Sequence, residues 1–275
     1  MTGVAVSELH VYPVKSLAGV SVPAWELDAF GLRMDRRWMV VTPEGRFMTQ
    51  REFPQMAAIQ AELAGQGLRL HHPRLGALEV PPTPPSSPRF TVRIWDDDVE
   101  AVTVGDAADA WLSRAIGSPS RLVFFPEDGQ RLVDSRYARR GERTAFADAF
   151  PLLLLGQSSL DDLNGRLAAA GYPPVEMRRF RPNLVVAGAA PYAEDGWRRI
   201  VIGGIPLRVV KPCSRCAITT VDPETGRRAG REPLATLATY RRVGTKVFFG
   251  QNLIHERPGN LRVGDRVEVT SAAAS

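Results

Sequence analysis

Six consecutive residues, Lys211-Pro212-Cys213-Ser214-Arg215-Cys216, bring two thiols, a hydroxyl and two cations into one short stretch. A thiolate is a soft ligand for a transition metal, and cations such as Arg215 and Lys211 lower a thiol's pKa towards that ligating form. The stretch lies between a strand ending at Val210 and the β-prone run Ala217 to Val221, so the spacing sets Cys216 at a strand edge. Three other readings compete. Thiol–disulfide exchange wants its first sulfur at a helix N-terminus, whereas a β-prone run follows here. A zinc site would need two more ligands from His10, His71, His72 and His255, which are scattered without finger or ribbon spacing. Two cysteines with no chemical role are the default from spacing by itself. A bridge between residues so close would constrain almost nothing, and two cysteines make no disulfide framework.

The elements that must position these residues read mostly as strands. Val4 to Val14 alternates in hydrophobicity, Arg37 to Thr42 and Arg46 to Gln50 flank the turn Pro43-Glu44-Gly45, and Phe90 to Trp95 and Glu100 to Val104 flank Asp96-Asp97-Asp98. A second set comprises Leu184 to Ala187, then Arg198 to Ile202 and Ile205 to Val210 around Gly203-Gly204, then Ala217 to Val221, Lys246 to Phe249 and Arg266 to Thr270. Helical periodicity is confined to Asp106 to Ile116, the run from Ser158 to Ala169, and a short piece near Pro233 to Tyr240. Ser159 followed by Asp162 predicts a capping box. The proline-rich run from Pro81 to Pro88 predicts an exposed loop within the first half, and the domain boundary falls between Phe125 and Ala145.

Composition bounds the class. With 275 residues, 44% hydrophobic and 24% charged, the chain can bury one large or two ordinary cores. The excess of 35 Lys and Arg over 30 Asp and Glu is mild and mostly interleaved with acids, so nucleic acid is not demanded as a partner. Gly65-Gln66-Gly67 lacks the third glycine of a dinucleotide fingerprint and precedes a strand pattern. No N-terminal segment pairs a basic start with an apolar stretch and a cleavage site, and the longest apolar run, Leu152 to Leu155, is far too short to span a bilayer. A cytoplasmic protein with no membrane partner is expected.

Six stretches, the cysteine run among them, occur in a recognisable order: Tyr12-Pro13-Val14-Lys15-Ser16, Asp35-Arg36-Arg37-Trp38, Phe180-Arg181-Pro182-Asn183, Tyr192-Ala193-Glu194-Asp195, Cys213-Ser214-Arg215-Cys216 with Thr219 to Pro223, and Phe249-Gly250-Gln251-Asn252. In these the C-terminal half resembles a MOSC domain, and the first half resembles the β-barrel domain that precedes it in the mitochondrial amidoxime-reducing component and its bacterial relatives. The resemblance implies a mainly β fold with some helices (α+β), with a β-rich N-terminal domain over residues 1–125 and a MOSC-type β-barrel domain over 126–275. It also implies a molybdenum cofactor, with the metal ligated by Cys216 and the pterin and its phosphate held at Lys15, Ser16, Arg36, Arg181, Asn183, Ser214 and Arg215. The chemistry agrees: four cations from distant parts of the chain repel one another unless an anion lies between them. Ser158, opening its helix, adds a possible donor, and Asn252 stands where the animal enzymes carry a tyrosine near the metal.

The implied reaction is a molybdenum-dependent reduction of N-hydroxylated small molecules such as amidoximes, hydroxylamines and N-hydroxylated bases. Its electrons must come from elsewhere. A plant-type [2Fe–2S] centre needs four cysteines and the chain has two, so a separate ferredoxin- or cytochrome-type carrier and its reductase are expected. The competing class is a non-redox module that carries the cofactor, or sulfur as a persulfide on Cys216.

Overall fold

The computed structural model describes residues 3–228 and 230–272. Its frame is a nine-stranded sheet. The order across it is Val267–Ala272, Trp197–Ile202, Ile205–Arg215, Lys246–His255, Leu152–Gly156, Leu184–Ala187, Ala5–Val11 and Val20–Val22, with the short strand Arg242–Val243 paired off this path to Lys246–His255. Neighbours are antiparallel except Leu152–Gly156 with Leu184–Ala187. A parallel pair needs a crossover, and a helix supplies it.

Three α-helices accompany the strands: α1 (Asp106–Ile116), α2 (Gln157–Ala169), which makes that crossover, and α3 (Leu234–Tyr240). Helix α1 buries Ala108, Trp111, Leu112, Ala115 and Ile116, one stripe at helical spacing, and stops at Gly117 in the left-handed conformation. The first half adds a four-stranded sheet built on Trp38–Val41 and a three-stranded sheet over residues 60–80. One core cluster packs beneath the large sheet around Leu9, Leu154, Leu184 and Leu253, and another packs α1 against Trp38, Met56 and Leu70. The architecture is mainly β with some helices, as expected, and the run from Pro81 to Pro88 is irregular.

Several local expectations are corrected. Ala217 to Val221 is not a strand: Ala217–Thr220 forms a 3₁₀ turn. Thr219 and Thr220 turn their hydroxyls back onto the carbonyls of Cys216 and Ala217, at 3.1 and 2.7 Å, which competes with extended backbone. The strand expected to stop at Val210 continues to Arg215. Arg46 to Gln50 forms two isolated bridges, Phe47 with Val41 and Arg46 with Arg93, in place of a hairpin arm. The capping box is absent. Helix α2 starts from Gly156, and Ser159 instead donates to the buried carboxylate of Glu194, which also accepts from the Gly156 amide. Asp162 accepts from Tyr192 and Arg166.

Candidate functional site

Two bulges shape the strand that carries the cysteines. Between the pairs Val209–Leu253 and Lys211–Asn252, the Ile205–Arg215 strand has one residue to spare; between Pro212–Gln251 and Ser214–Phe248 the extra residue is on the partner strand. Gly250 sits at this second irregularity with φ +84°, where a side chain would strike the Leu154 carbonyl. Pro212, which cannot donate to a ladder, is tolerated beside the bulge. The result turns Ser214, Arg215 and Cys216 towards the segments around residues 15, 36 and 181.

Those segments are spliced together by backbone bonds. The Asp35 carboxylate accepts from the Tyr12 amide at 2.8 Å, the Arg36 amide donates to Tyr12 O, and the Lys15 amide donates to Trp38 O. Ser16, Arg36 and Arg181 all hold positive φ, at +66°, +49° and +55°. A left-handed conformation costs a non-glycine residue on the order of 1 kcal/mol or more, and such strain collects where function holds it in place.

Nine of the ten residues expected from the sequence line a single cavity: Lys15, Ser16, Arg36, Arg181, Asn183, Ser214, Arg215, Cys216 and Asn252. Ser158 does not. It lies in the first turn of α2 with its hydroxyl donating to Ala189 O at 2.8 Å. Lys211, expected beside the thiol, instead sets its ammonium 5.0 Å from the Tyr137 ring centroid. The cavity also takes in Thr49, Arg51, Asp148 and Cys213. No sequence motif marks Thr49, Arg51 or Asp148, because each reaches the site from a loop whose course depends on the fold.

Electrostatics distinguish this cavity. Arg36 and Arg181 set their guanidinium carbons 4.4 and 4.3 Å from the centroid of the Tyr12 ring. Arg36 donates to Asp35, to Asn183 Oδ1 and to Arg181 O. Arg181 spends Nη1 on Leu17 O, but its Nη2 is buried with no hydrogen-bond partner, as is Nε of Arg215. Burial, with the Arg36 charge beside it, pulls Arg181 down to about 10. Burial pushes the Tyr12 phenol up to about 12. Lys15 is pulled down to about 8 by burial, against the opposing pull of Asp148, whose Oδ1 lies 2.5 Å from its ammonium. Asp148 itself is largely exposed at the rim. Cationic donors left unspent around one space suit an anion with several acceptor oxygens.

Cys216 is exposed and unbonded to Cys213, whose sulfur accepts from Arg215 Nη1 at 3.1 Å. Among the described residues no three His, Cys, Asp or Glu side chains gather to hold a metal, so a metal at Cys216 would draw its other ligands from a bound group. An open thiol and several cationic side chains lining one cavity fit a metal-bearing organic cofactor with an anionic tail.

The models for the MOSC N-terminal beta barrel domain and the MOSC domain match residues 3–119 and 141–268. Mitochondrial amidoxime-reducing component 1 of Mus musculus is 38% identical over 95% of this chain and 81% of its own length; that of Homo sapiens is 37% identical over 95% and 82%. The chain belongs to the MOSC family of the amidoxime-reducing components. Another relative, the molybdenum cofactor sulfurase of Solanum lycopersicum, is 32% identical over 95% of this chain but only 35% of its own length. The expectation of a cytoplasmic protein is overturned by the amidoxime-reducing relatives, which are mitochondrial.

Proposed function

We propose that this MOSC-family protein binds a molybdenum cofactor in the cavity that Cys216 shares with Arg36 and Arg181, and reduces N-hydroxylated small molecules there. The observation that carries the reading is the pair of orphaned donors, Arg181 Nη2 and Arg215 Nε, in a cavity with an exposed thiol. In this reading residues 1–125 form the N-terminal β-rich domain and 126–275 the MOSC domain, with the cavity drawing residues from both.

The cofactor supplies a two-electron couple that accepts the oxygen of an N–OH group. The chain's own residues do the rest. Cys216 contributes the thiolate ligand. Arg36 and Arg181, held by Tyr12 and Asp35, present their positive charge to an anionic tail, while Lys15 and Ser16 add an ammonium and a hydroxyl. Asn183 holds Arg36 in place through Oδ1 and is itself fixed by the Leu153 amide at 3.1 Å. Ser214 lies beside the thiol. Asn252 spends one amide hydrogen on Lys211 O, leaving its remaining polar capacity for a substrate. The net reaction consumes two electrons and two protons, breaks one N–O bond and releases water; an amidoxime becomes an amidine. The electrons come from a separate carrier protein and its reductase.

The expected outcome is reduction of benzamidoxime to benzamidine by the purified protein with reduced methyl viologen as donor. A second reading, a non-redox carrier of the cofactor or of sulfur as a persulfide, draws on the exposure of Cys216 and the likeness to a molybdenum cofactor sulfurase. It predicts cyanide-labile sulfur on Cys216 and no turnover, and that result would replace the reductase reading.

A further inference from the structure

Behind the cysteine turn lies a groove that the proposed reaction does not use. Its floor is apolar, made by Leu234, Ala235 and Ala238 of α3 with Val247, and its rim carries Arg228, Arg231 and Arg242. The Arg242–Val243 strand pairs with Lys246–His255 through a two-residue turn, which adds Lys246 and sets Val243 beside the rim, 71% exposed. Among the described residues none of these four cations lies within 4.0 Å of a carboxylate, although twenty other Lys or Arg contacts with carboxylates occur. Arg228 makes one bond, to the Arg51 carbonyl. Glu232, the acid within this stretch of chain, directs its carboxylate to the Thr236 amide at the start of α3.

The wall between groove and cavity is thin. Ala217 and Thr220 line the groove while Cys216, Ile218 and Thr219 line the cavity, so one 3₁₀ turn faces both. Arg215 of the cavity and Val247 of the groove are paired neighbours across the two strands.

We propose that this groove is the docking surface for an acidic electron-carrier protein, which delivers electrons through the Cys216–Thr220 turn. The inference rests on the reductase reading, since two cysteines cannot supply the four ligands of a plant-type [2Fe–2S] centre. Unpaired cations around an apolar floor match the anatomy of a transient protein interface, with charge steering the encounter and apolar contact fixing the register. A membrane surface or a nucleic acid would use the charge, but neither gains from the one-turn separation to the thiol. Each turnover takes two electrons, one from each of two reduced carriers that dock in succession and leave oxidised, while two protons from solvent complete the water.

The test is charge reversal of the rim, Arg228→Glu with Arg231→Glu and Arg242→Glu, in the cofactor-loaded protein. Benzamidoxime turnover is measured with two donors, a reduced acidic plant-type ferredoxin and reduced methyl viologen. The expected result is a fall of about tenfold or more in kcat/KM for the ferredoxin, with loss of its salt dependence, and unchanged turnover with methyl viologen. Equal ferredoxin kinetics in the two proteins would overturn the docking surface, as would a wild type that methyl viologen drives and the ferredoxin does not. Loss of binding to phosphatidylglycerol vesicles or to an oligonucleotide, without change in ferredoxin kinetics, would also overturn it. A wild type that turns over with neither donor fails the underlying reading instead.

Discussion

Two arginine-lined regions of this molecule lie side by side and differ in how their donors are spent. Arg131 is 6% exposed, and every direction of its guanidinium meets an acceptor: Asp97 Oδ2 at 2.9 Å, the carbonyls of Ala145 and Ala147 at 2.8 and 2.5 Å, and that of Asp148 at 3.0 Å. It is a strut that holds the loop carrying Ala147 and Asp148 against the cavity. Arg181 and Arg215, by contrast, are anchored by one nitrogen each to a backbone carbonyl and leave a buried donor unpaired. A buried cation with a full set of acceptors stabilises the fold. Cations anchored by part of their hydrogen-bonding capacity around a shared space stabilise whatever anion enters.

The sharpest way to break that contrast is to remove one arginine from each region. Arg131→Ala strips three carbonyls of their partner and should cost about 3 kcal/mol of unfolding free energy in cofactor-free protein, read from urea denaturation. Arg181→Ala should change that quantity by less than about 1 kcal/mol, since removing the like charge beside Arg36 offsets the lost bond to Leu17 O, yet should weaken cofactor retention about 10- to 100-fold. Equal destabilisation by both substitutions would erase the distinction.

Lys15 extends the comparison to pH. Burial lowers its ammonium from 10.5 to about 8, so between about pH 8 and pH 10.5 the folded protein binds fewer protons than the unfolded chain. Stability of the cofactor-free protein should therefore rise with pH across that window, and the full penalty stands below it. Lys15→Met should remove the slope and raise stability at pH 7 by on the order of 2 kcal/mol, checked by urea midpoints at pH 7 and pH 10. An unchanged slope in the variant would show that the ammonium is not the strained group.

The smallest effect is expected at Ser158. Its hydroxyl is spent on Ala189 O, away from the cavity, so Ser158→Ala should leave molybdenum content unaltered and stability within about 1 kcal/mol. Loss of molybdenum in that variant would return Ser158 to the site.

Much of this arrangement is legible in the sequence because the fold keeps its chemistry in short runs. Helix α1 is bounded by an apolar stripe and a terminal glycine, and the turn at Gly203-Gly204 takes positive φ at both residues, as its composition predicts. Lys15, Arg36, Arg181 and Cys216 each stand in a recognisable run. What escaped reading depends on tertiary partners. Ala217 to Val221 has strand composition, but two threonine hydroxyls fold it into a 3₁₀ turn, and that turn makes the wall between cavity and groove. Ser159 and Asp162 have the spacing of a capping box, but a buried Glu194 from a distant loop takes the serine. Arg51 and Asp148 carry no local mark at all.

The most direct measurement is molybdenum per chain, by elemental analysis of wild type beside Cys216→Ser, both produced in a host that makes the cofactor. Near-stoichiometric molybdenum in the wild type and its loss in the variant, with both proteins folded by circular dichroism, is the predicted result. A wild type free of molybdenum, or a variant that keeps both its full complement and its turnover, would contradict the assignment of Cys216 as the ligand.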